Sequence, residues 1–326
     1  MSTAVGLIGL GWIGESHLTD LAARPDVEIR AVHDLDTGRT ADFAKRFGAR
    51  GCANVDEVLD QGLDAVWICT PPQHHLAPAR QAFARGIPVY LEKPVARDLA
   101  EATELTRLAG ESGVVCAVGY QWRALGLLDP LRAELESENV VSLSGYSVGP
   151  TAARPWFLDQ AQGGGNLLER GSHQIDLVRA VAGEVESVLA VGSTVRVDRP
   201  GVAARDIDDA LTLVLRMTSG AVATIVIAWT PADVPGRYGL DVVSGAGVLR
   251  MALDPDFRLT GHHRGQEVSA SVTEEPFSAS NSRFLAAVGA GDRGLVACTP
   301  ADALATLRVA LAGEEALATG SAVVVS

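Results

Sequence analysis

The first 120 residues alternate two kinds of apolar pattern. Val5–Ile8, Ile29–His33, Ala65–Cys69, Pro88–Leu91 and Val114–Val118 are short apolar runs without polar alternation, as in parallel strands covered on both faces. Between them, Ile13–Ala23, Thr37–Phe47, Leu76–Ala84 and Leu99–Ala109 carry helical periodicity. This β-α-β-α order predicts an α/β, doubly wound parallel sheet. Beyond Tyr120 the pattern changes. Residues 140–149, 186–197, 208–217, 221–230, 238–244 and 266–272 read as strands, most of them separated by glycine- and proline-containing turns such as Thr218-Ser219-Gly220. Strands in succession predict an antiparallel or mixed sheet. Helices are expected near 166–182, 280–290 and 301–318. Ala221–Trp229 is apolar except at Thr224, which predicts a strand with both faces covered, one by helices and one by a partner subunit.

Composition narrows the function classes. The 326 residues suffice for two cored domains. A net charge of −13 with no basic block argues against nucleic-acid and anionic-membrane partners. The start, Met1 to Ile8, lacks a basic n-region, and Ala221–Trp229, taken as the longest apolar run, falls short of the ~20 residues that span a bilayer. Cys52, Cys69, Cys116 and Cys298 are scattered without a C-x-x-C pair, fitting reduced thiols of a cytoplasmic protein. No metal site is expected, because neither His74-His75 nor His262-His263 has a second donor pair at ligand spacing.

Gly9-Leu10-Gly11-Trp12-Ile13-Gly14 follows the first strand and opens the first helix. Gly9 allows the tight turn, Gly11 lets backbone approach a pyrophosphate, and Gly14 lets helix pack on strand, with helix N–H groups facing the phosphates. Asp34, at the end of the second strand, can accept both ribose hydroxyls and repel a 2′-phosphate. That favours NAD over NADP, although Arg39 lies near enough to complicate the charge balance. Thr70-Pro71-Pro72-Gln73-His74-His75 leaves a strand on the same edge and is stiffened by its prolines. His75 reads equally as a nicotinamide-side group or a helix-start residue.

Only two of the 27 Lys+Arg residues are lysines, Lys45 and Lys93. Arginine does not release its proton near neutrality whereas a half-buried lysine does, so Glu92-Lys93-Pro94 at a strand end points to proton transfer. A Glu92–Lys93 surface ion pair is the competing reading. Pro94 admits a cis bond. In the second half, a helix from about Asn166 after Gly163-Gly164-Gly165 would set Glu169, His173 and Asp176 at i, i+4 and i+7 on one face. Structural readings compete here too: Glu169 closes a capping box on Asn166, and Asp176 only orients His173 or caps a loop.

Taken together these elements resemble the Gfo/Idh/MocA oxidoreductases over essentially the whole length. The resemblance rests on Gly9-x-Gly11-x-x-Gly14 with His17, Asp34, Thr70-Pro71-Pro72-x-x-His75, Glu92-Lys93-Pro94, Gly119-Tyr120-Gln121-Trp122-Arg123, and Gly163–Gly165 with His173 and Asp176. It implies a Rossmann domain over residues 1–120. An α+β domain with an open-faced, mostly antiparallel sheet comes after it over 121–326, often paired sheet to sheet, so a homodimer or homotetramer is expected. It implies Lys93 beside the nicotinamide and the reacting carbon, with His173 completing the acid/base pair. The family's aspartate four residues before that histidine is Glu169 here, which keeps the charge and adds a methylene.

The expected activity is NAD(H)-dependent hydride transfer to or from a secondary alcohol or ketone of a sugar, polyol or cyclitol. Lys93, His173 and Glu169 form the catalytic set. The cofactor set is Gly9, Gly11, Trp12, Ile13, Gly14, Asp34, Thr70, Pro71, His75, Glu92, Lys93 and Gln121. Trp122, Arg123, Trp156 and Asp176 join the catalytic set in lining the substrate pocket. Such a cluster suits a polyhydroxylated substrate, because each hydroxyl needs a partner once desolvated. The alternative, favoured by Glu169, is a non-catalytic dinucleotide- or sugar-sensing protein on the same fold.

Overall fold

The uninterrupted apolar runs form strands whose side chains are covered on both faces; β4 (Ala65–Ile68) is buried at all four positions. The computed structural model describes residues 2–150, 158, 160–193, 195, 207–231 and 233–326. The amino-terminal part runs β1 (Thr3–Ile8), α1 (Trp12–Ala22), β2 (Val27–His33), α2 (Thr37–Phe47), β3 (Arg50–Gly51), α3 (Val55–Leu59), then β4. It continues through α4 (Leu76–Ala84), β5 (Val89–Leu91), α5 (Leu99–Ser112) and β6 (Cys116–Val118). The strands pair in parallel in the order β3-β2-β1-β4-β5-β6. Local chemistry sets the helix ends: Asp36 and Asp98 accept from the N–H groups of Arg39 and Glu101, while Gly48 and Gly113 take the left-handed conformation that closes α2 and α5.

The chain goes on through α6 (Leu128–Leu135), β7 (Val140–Pro150), α7 (Gln160–Gly163) and a π-turn at Leu167–Gly171 that leads into α8 (Ser172–Ala182). Then come β8 (Val185–Gly192), β9 (Ala210–Met217), β10 (Val222–Thr230), β11 (Arg237–Ser244), β12 (Gly247–Asp254), β13 (Phe257–His263) and β14 (Gln266–Val272). The chain ends with α9 (Pro276–Ala290), α10 (Pro300–Thr319) and β15 (Val323–Val324). The second sheet has the order β14-β13-β12-β11-β7-β10-β9-β8-β15. β7 and β10 run parallel, and the other pairs are antiparallel among the described residues.

The compact units are not two consecutive segments. One is Met1–Ala124 with Glu274–Leu304; the other is Leu125–Thr273 with Ala305–Ser326. This differs from the division expected after residue 120, because an apolar helical stripe does not say which core it joins. α9 joins the first: Phe284 packs edge-on against Trp67 and Tyr90, with ring centroids 5.0 and 5.5 Å apart. In the single chain β10 has one covered and one open face. Ala223, Ile225, Ile227 and Trp229 are buried, whereas Val222, Thr224 and Val226 are exposed. On the covered face the π-turn and α10 lie close; a Cβ at Gly171 would come within 2.7 Å of Ile227 on β10, and one at Gly313 within 3.4 Å of Leu213 on β9. α10 is apolar over a length that would cross a bilayer by composition alone, yet its Gly313 side rests on this sheet.

Candidate active site

In the first unit the backbone itself assembles the site. Gly9 N–H donates to His33 O (2.9 Å), Cys69 N–H to Ile8 O (2.8 Å), Glu92 N–H to Ile68 O (2.9 Å) and Gly119 N–H to Leu91 O (2.8 Å). These bonds run along the carboxyl ends of β2, β1, β4, β5 and β6. They place Asp34, the glycine loop, Thr70, Lys93 and Gln121 on one edge, at the strand-order reversal where open α/β sheets bind ligands.

The glycine loop fits a dinucleotide. Gly9 has φ +92, and a Cβ on it would come within 2.7 Å of the Cys69 and Thr70 backbone. A Cβ on Gly14 would run into the Gly9 carbonyl oxygen, while one on Gly11 meets nothing within 4 Å. Gly11 caps α1 with no side-chain hydrogen bond, so the helix start is open to a phosphate. Trp12 is 57% exposed, edge-on to Phe277 with centroids 6.1 Å apart, and Ile13 is half-buried. Asp34 is drawn onto the loop: its Oδ2 accepts from Leu10 N–H (2.8 Å) and Arg39 Nη1 (3.2 Å), its Oδ1 from Asp36 N–H (2.9 Å). Arg39 is thus occupied by Asp34 and, at 3.7 Å, by Asp36, rather than presented to a 2′-phosphate.

Lys93 is half-buried and the Lys93–Pro94 bond is cis; Lys45 is exposed in the last turn of α2. Glu92 is 4% exposed and faces His17 rather than solvent, with Nε2 to Oε1 at 3.0 Å, so the surface ion-pair reading does not describe it. Thr70, Pro71, Gln121 and Trp122 are half-buried. Arg123, by contrast, is buried and ion-paired with Asp302 at 3.5 Å, a contact within its own unit.

His75 is fully buried. Its Nε2 lies 2.8 Å from Thr70 O and its Nδ1 3.3 Å from Val95 O, so the neutral ring, with a single N–H, donates to only one of the two carbonyls. Burial pushes its pKa below the ordinary 6.5, outweighing the Thr70, Val95 and Pro94 carbonyls and the Glu92 charge that favour the charged ring. The unfolded chain therefore takes up this proton before the folded one. The stabilisation is complete above about pH 6.5 and declines as pH falls below it. Urea midpoints should drop across that window in the wild type and less steeply in His75→Gln; equal slopes would refute the assignment.

In the second unit the three ionisable groups differ in burial. Glu169 lies in the π-turn and, like His173, is half-buried, whereas Asp176 is 2% exposed. Asp176 Oδ1 accepts from Thr306 Oγ1 (2.9 Å), which accepts from Arg179 Nη1 (2.7 Å). Helical phase cannot foresee this contact, since Thr306 lies 130 residues from Asp176. Asn166 makes no side-chain cap, so the capping-box reading of Glu169 does not hold. The glycine run serves the turn: Gly164 and Gly165 have φ +71 and +63. Trp156 lies outside the described residues.

Two further residues, one in each unit, were not read from sequence. Arg170 donates to the carbonyls of Gly149 (3.0 Å), Ala228 (3.3 Å) and Pro150 (2.8 Å) and stacks over Trp229 at 4.1 Å. Burial lowers its pKa, and the carbonyls and ring supply what water would. Asn281, on α9, joins His17 behind Glu92 (2.9 Å). A basic residue in a Gly-rich helix and an asparagine in a small-residue helix carry no local signal of either partner.

Comparison with known proteins agrees with this geometry. Residues 3–120 match the oxidoreductase family with an NAD-binding Rossmann fold, and residues 139–246 match the GFO/IDH/MocA C-terminal domain. Inositol 2-dehydrogenase 2 of Saccharopolyspora erythraea is 30% identical over 334 residues, covering 98% of this chain and 95% of that protein. Glucose-6-phosphate 3-dehydrogenase of Bacillus subtilis is 29% identical over 183 residues. That match takes in 53% of this chain and only about half, 52%, of the relative. A levoglucosan dehydrogenase in complex with NADH and levoglucosan has the same fold, with a TM-score of 0.88 over 100% of both chains at 21% identity. The chain belongs to the Gfo/Idh/MocA family of NAD-binding oxidoreductases.

Proposed function

We propose that this protein is an NAD(H)-dependent dehydrogenase or reductase acting on a secondary alcohol or ketone of a sugar, polyol or cyclitol. The observation that carries the reading is Lys93. It is one of two lysines in the chain, half-buried, on the strand edge that also holds the Gly9–Gly14 loop and Asp34. The chemistry supplied by a bound nicotinamide is hydride transfer at a carbon bearing oxygen. The protein's share is the other half. In oxidation the substrate hydroxyl proton passes to the Lys93 amine as the C=O bond forms, and in reduction the ammonium returns it. His173 is assigned as the acid/base partner and Glu169 as the group that orients it or a substrate hydroxyl. Asp176, enclosed with Thr306 and Arg179, supports the packing of α8 instead. Relatives named as inositol and glucose-6-phosphate dehydrogenases favour a polyhydroxylated substrate. Four free cysteines fit a reducing, cytoplasmic setting.

The test is nicotinamide-linked turnover across a panel of sugars, polyols and cyclitols, with wild type and Lys93→Met in parallel. Turnover on at least one member that collapses in the variant supports the reading. NADH binding with no turnover on any member would favour a sensing protein.

The exposed row Val214, Val222 and Val226, with Leu189 and Val191, gives the second sheet an apolar open face. We assign this face to a second copy of the chain. Light scattering at micromolar concentration should give a dimer or tetramer of the 34.0 kDa chain, and monomers alone would rule it out.

A further inference from the structure

A buried chain of hydrogen bonds runs behind Lys93 within the first unit. Glu92 Oε2 accepts from Lys93 N–H (3.1 Å) and Oε1 meets His17 Nε2 (3.0 Å). Gly119 makes the space, since a Cβ there would come within 2.7 Å of Oε1. His17, 0% exposed on α1, has its Nδ1 2.9 Å from Asn281 Oδ1 on α9. Tyr90, edge-on to the same ring, pairs its hydroxyl with Ser280 instead.

Donors and acceptors along this chain are set by chemistry. The indole N–H of Trp67 only donates, and it lies 3.0 Å from Asn281 Oδ1. The Asp20 carboxylate, ion-paired with Arg24, only accepts, and its Oδ2 lies 2.8 Å from Asn281 Nδ2. The amide orientation is therefore fixed, and His17 Nδ1 must carry a hydrogen. One proton must then lie between His17 Nε2 and Glu92 Oε1. Without it two lone pairs would face each other in a dry site. Whether written as imidazolium and carboxylate or as imidazole and carboxylic acid, the pair carries no net charge.

We propose that Asn281 is a positioning residue for Lys93, acting through His17 and Glu92. This rests on the role assigned to Lys93 above. With Nδ1–H held by the amide, Glu92 keeps one oxygen on His17 and the other on the Lys93 backbone. Without the amide, His17 is able to donate from Nε2 and give up the Nδ1 hydrogen. The carboxylate that accepts from the Lys93 backbone N–H is then no longer held in one place, and the lysine loses its fixed orientation.

The first experiment needs no change in the protein. Nitrogen-15 spectra of histidine-labelled wild type, with His17 assigned by loss of its signal in His17→Gln, should show Nδ1 protonated across the active pH range. A bare Nδ1 with hydrogen only on Nε2 overturns the proposal. Asn281→Leu should lower kcat by roughly 10- to 100-fold with NADH affinity retained, and D20N/N281D, which exchanges amide and carboxylate, should restore most of it. Unchanged kcat in Asn281→Leu, or no recovery in the exchanged pair with Nδ1 protonated, refutes the positioning role. If Asn281→Leu fails to fold, the wild-type spectrum and the exchanged pair still decide. Full turnover in Lys93→Met would remove the underlying reading of Lys93 while the His17 spectrum still judges the proton assignment.

Discussion

Replacing Lys93 with Met is expected to lower kcat/KM on the substrate by about 10²- to 10⁴-fold while NADH still binds. Methionine fills nearly the same half-buried volume but has no proton to take or give, so the change isolates the ammonium. Cofactor affinity should survive, because the groups that fit a dinucleotide are elsewhere: the Gly9–Gly14 loop and Asp34, which is fixed by Leu10 and Asp36 N–H groups. The loss belongs in kcat more than KM, since a proton transferred at the transition state contributes little to ground-state binding. Lys45→Met is the matched control, as Lys45 is exposed at the end of α2 and should leave turnover unchanged. Turnover on the same substrate, read by nicotinamide absorbance, together with NADH fluorescence titration, separates the outcomes. Comparable losses in both lysine variants would sink the assignment.

Local physics decides the features that are legible in the sequence. Thr37–Phe47, Leu76–Ala84 and Gln266–Val272 have the predicted bounds in the structure, because caps, glycines and turn residues end them within a few positions. The strand-edge placement of Gly9, Asp34, Thr70 and Lys93 is legible for the same reason: each comes directly after a buried apolar run. Partnerships across the chain are hidden altogether. His17 and Asn281 are 264 residues apart, and Asp176 and Thr306 are 130 apart. Asp176 differs from Glu169 and His173 in being buried against Thr306, a partner that no local spacing points to. Nothing in Leu167-Leu168-Glu169-Arg170-Gly171 announces the π-turn, which is set by packing on β10 and by the Arg170 carbonyl contacts.

Gly11→Ala should weaken NADH binding in a protein that otherwise folds as before. Gly11 has φ −71 and ψ −174, an extended backbone any residue adopts, and its new methyl would meet nothing within 4 Å. The apo fold therefore has no reason to object. The same open space at the start of α1 is where a pyrophosphate would approach the backbone, and a methyl there overpacks it by about 1–3 kcal/mol, or about 5- to 150-fold in Kd. Gly14→Ala should behave differently. Its methyl would run into the Gly9 carbonyl oxygen and lie 3.2 Å from Leu7 Cδ2, so it strains the helix–strand contact itself and lowers the melting temperature without cofactor. Thermal melts of the two apo variants, then NADH titration of each, distinguish a residue kept for the ligand from one kept for the fold. Wild-type NADH affinity in Gly11→Ala would mean that the phosphates do not sit over this loop, because no protein contact is present to absorb the added methyl.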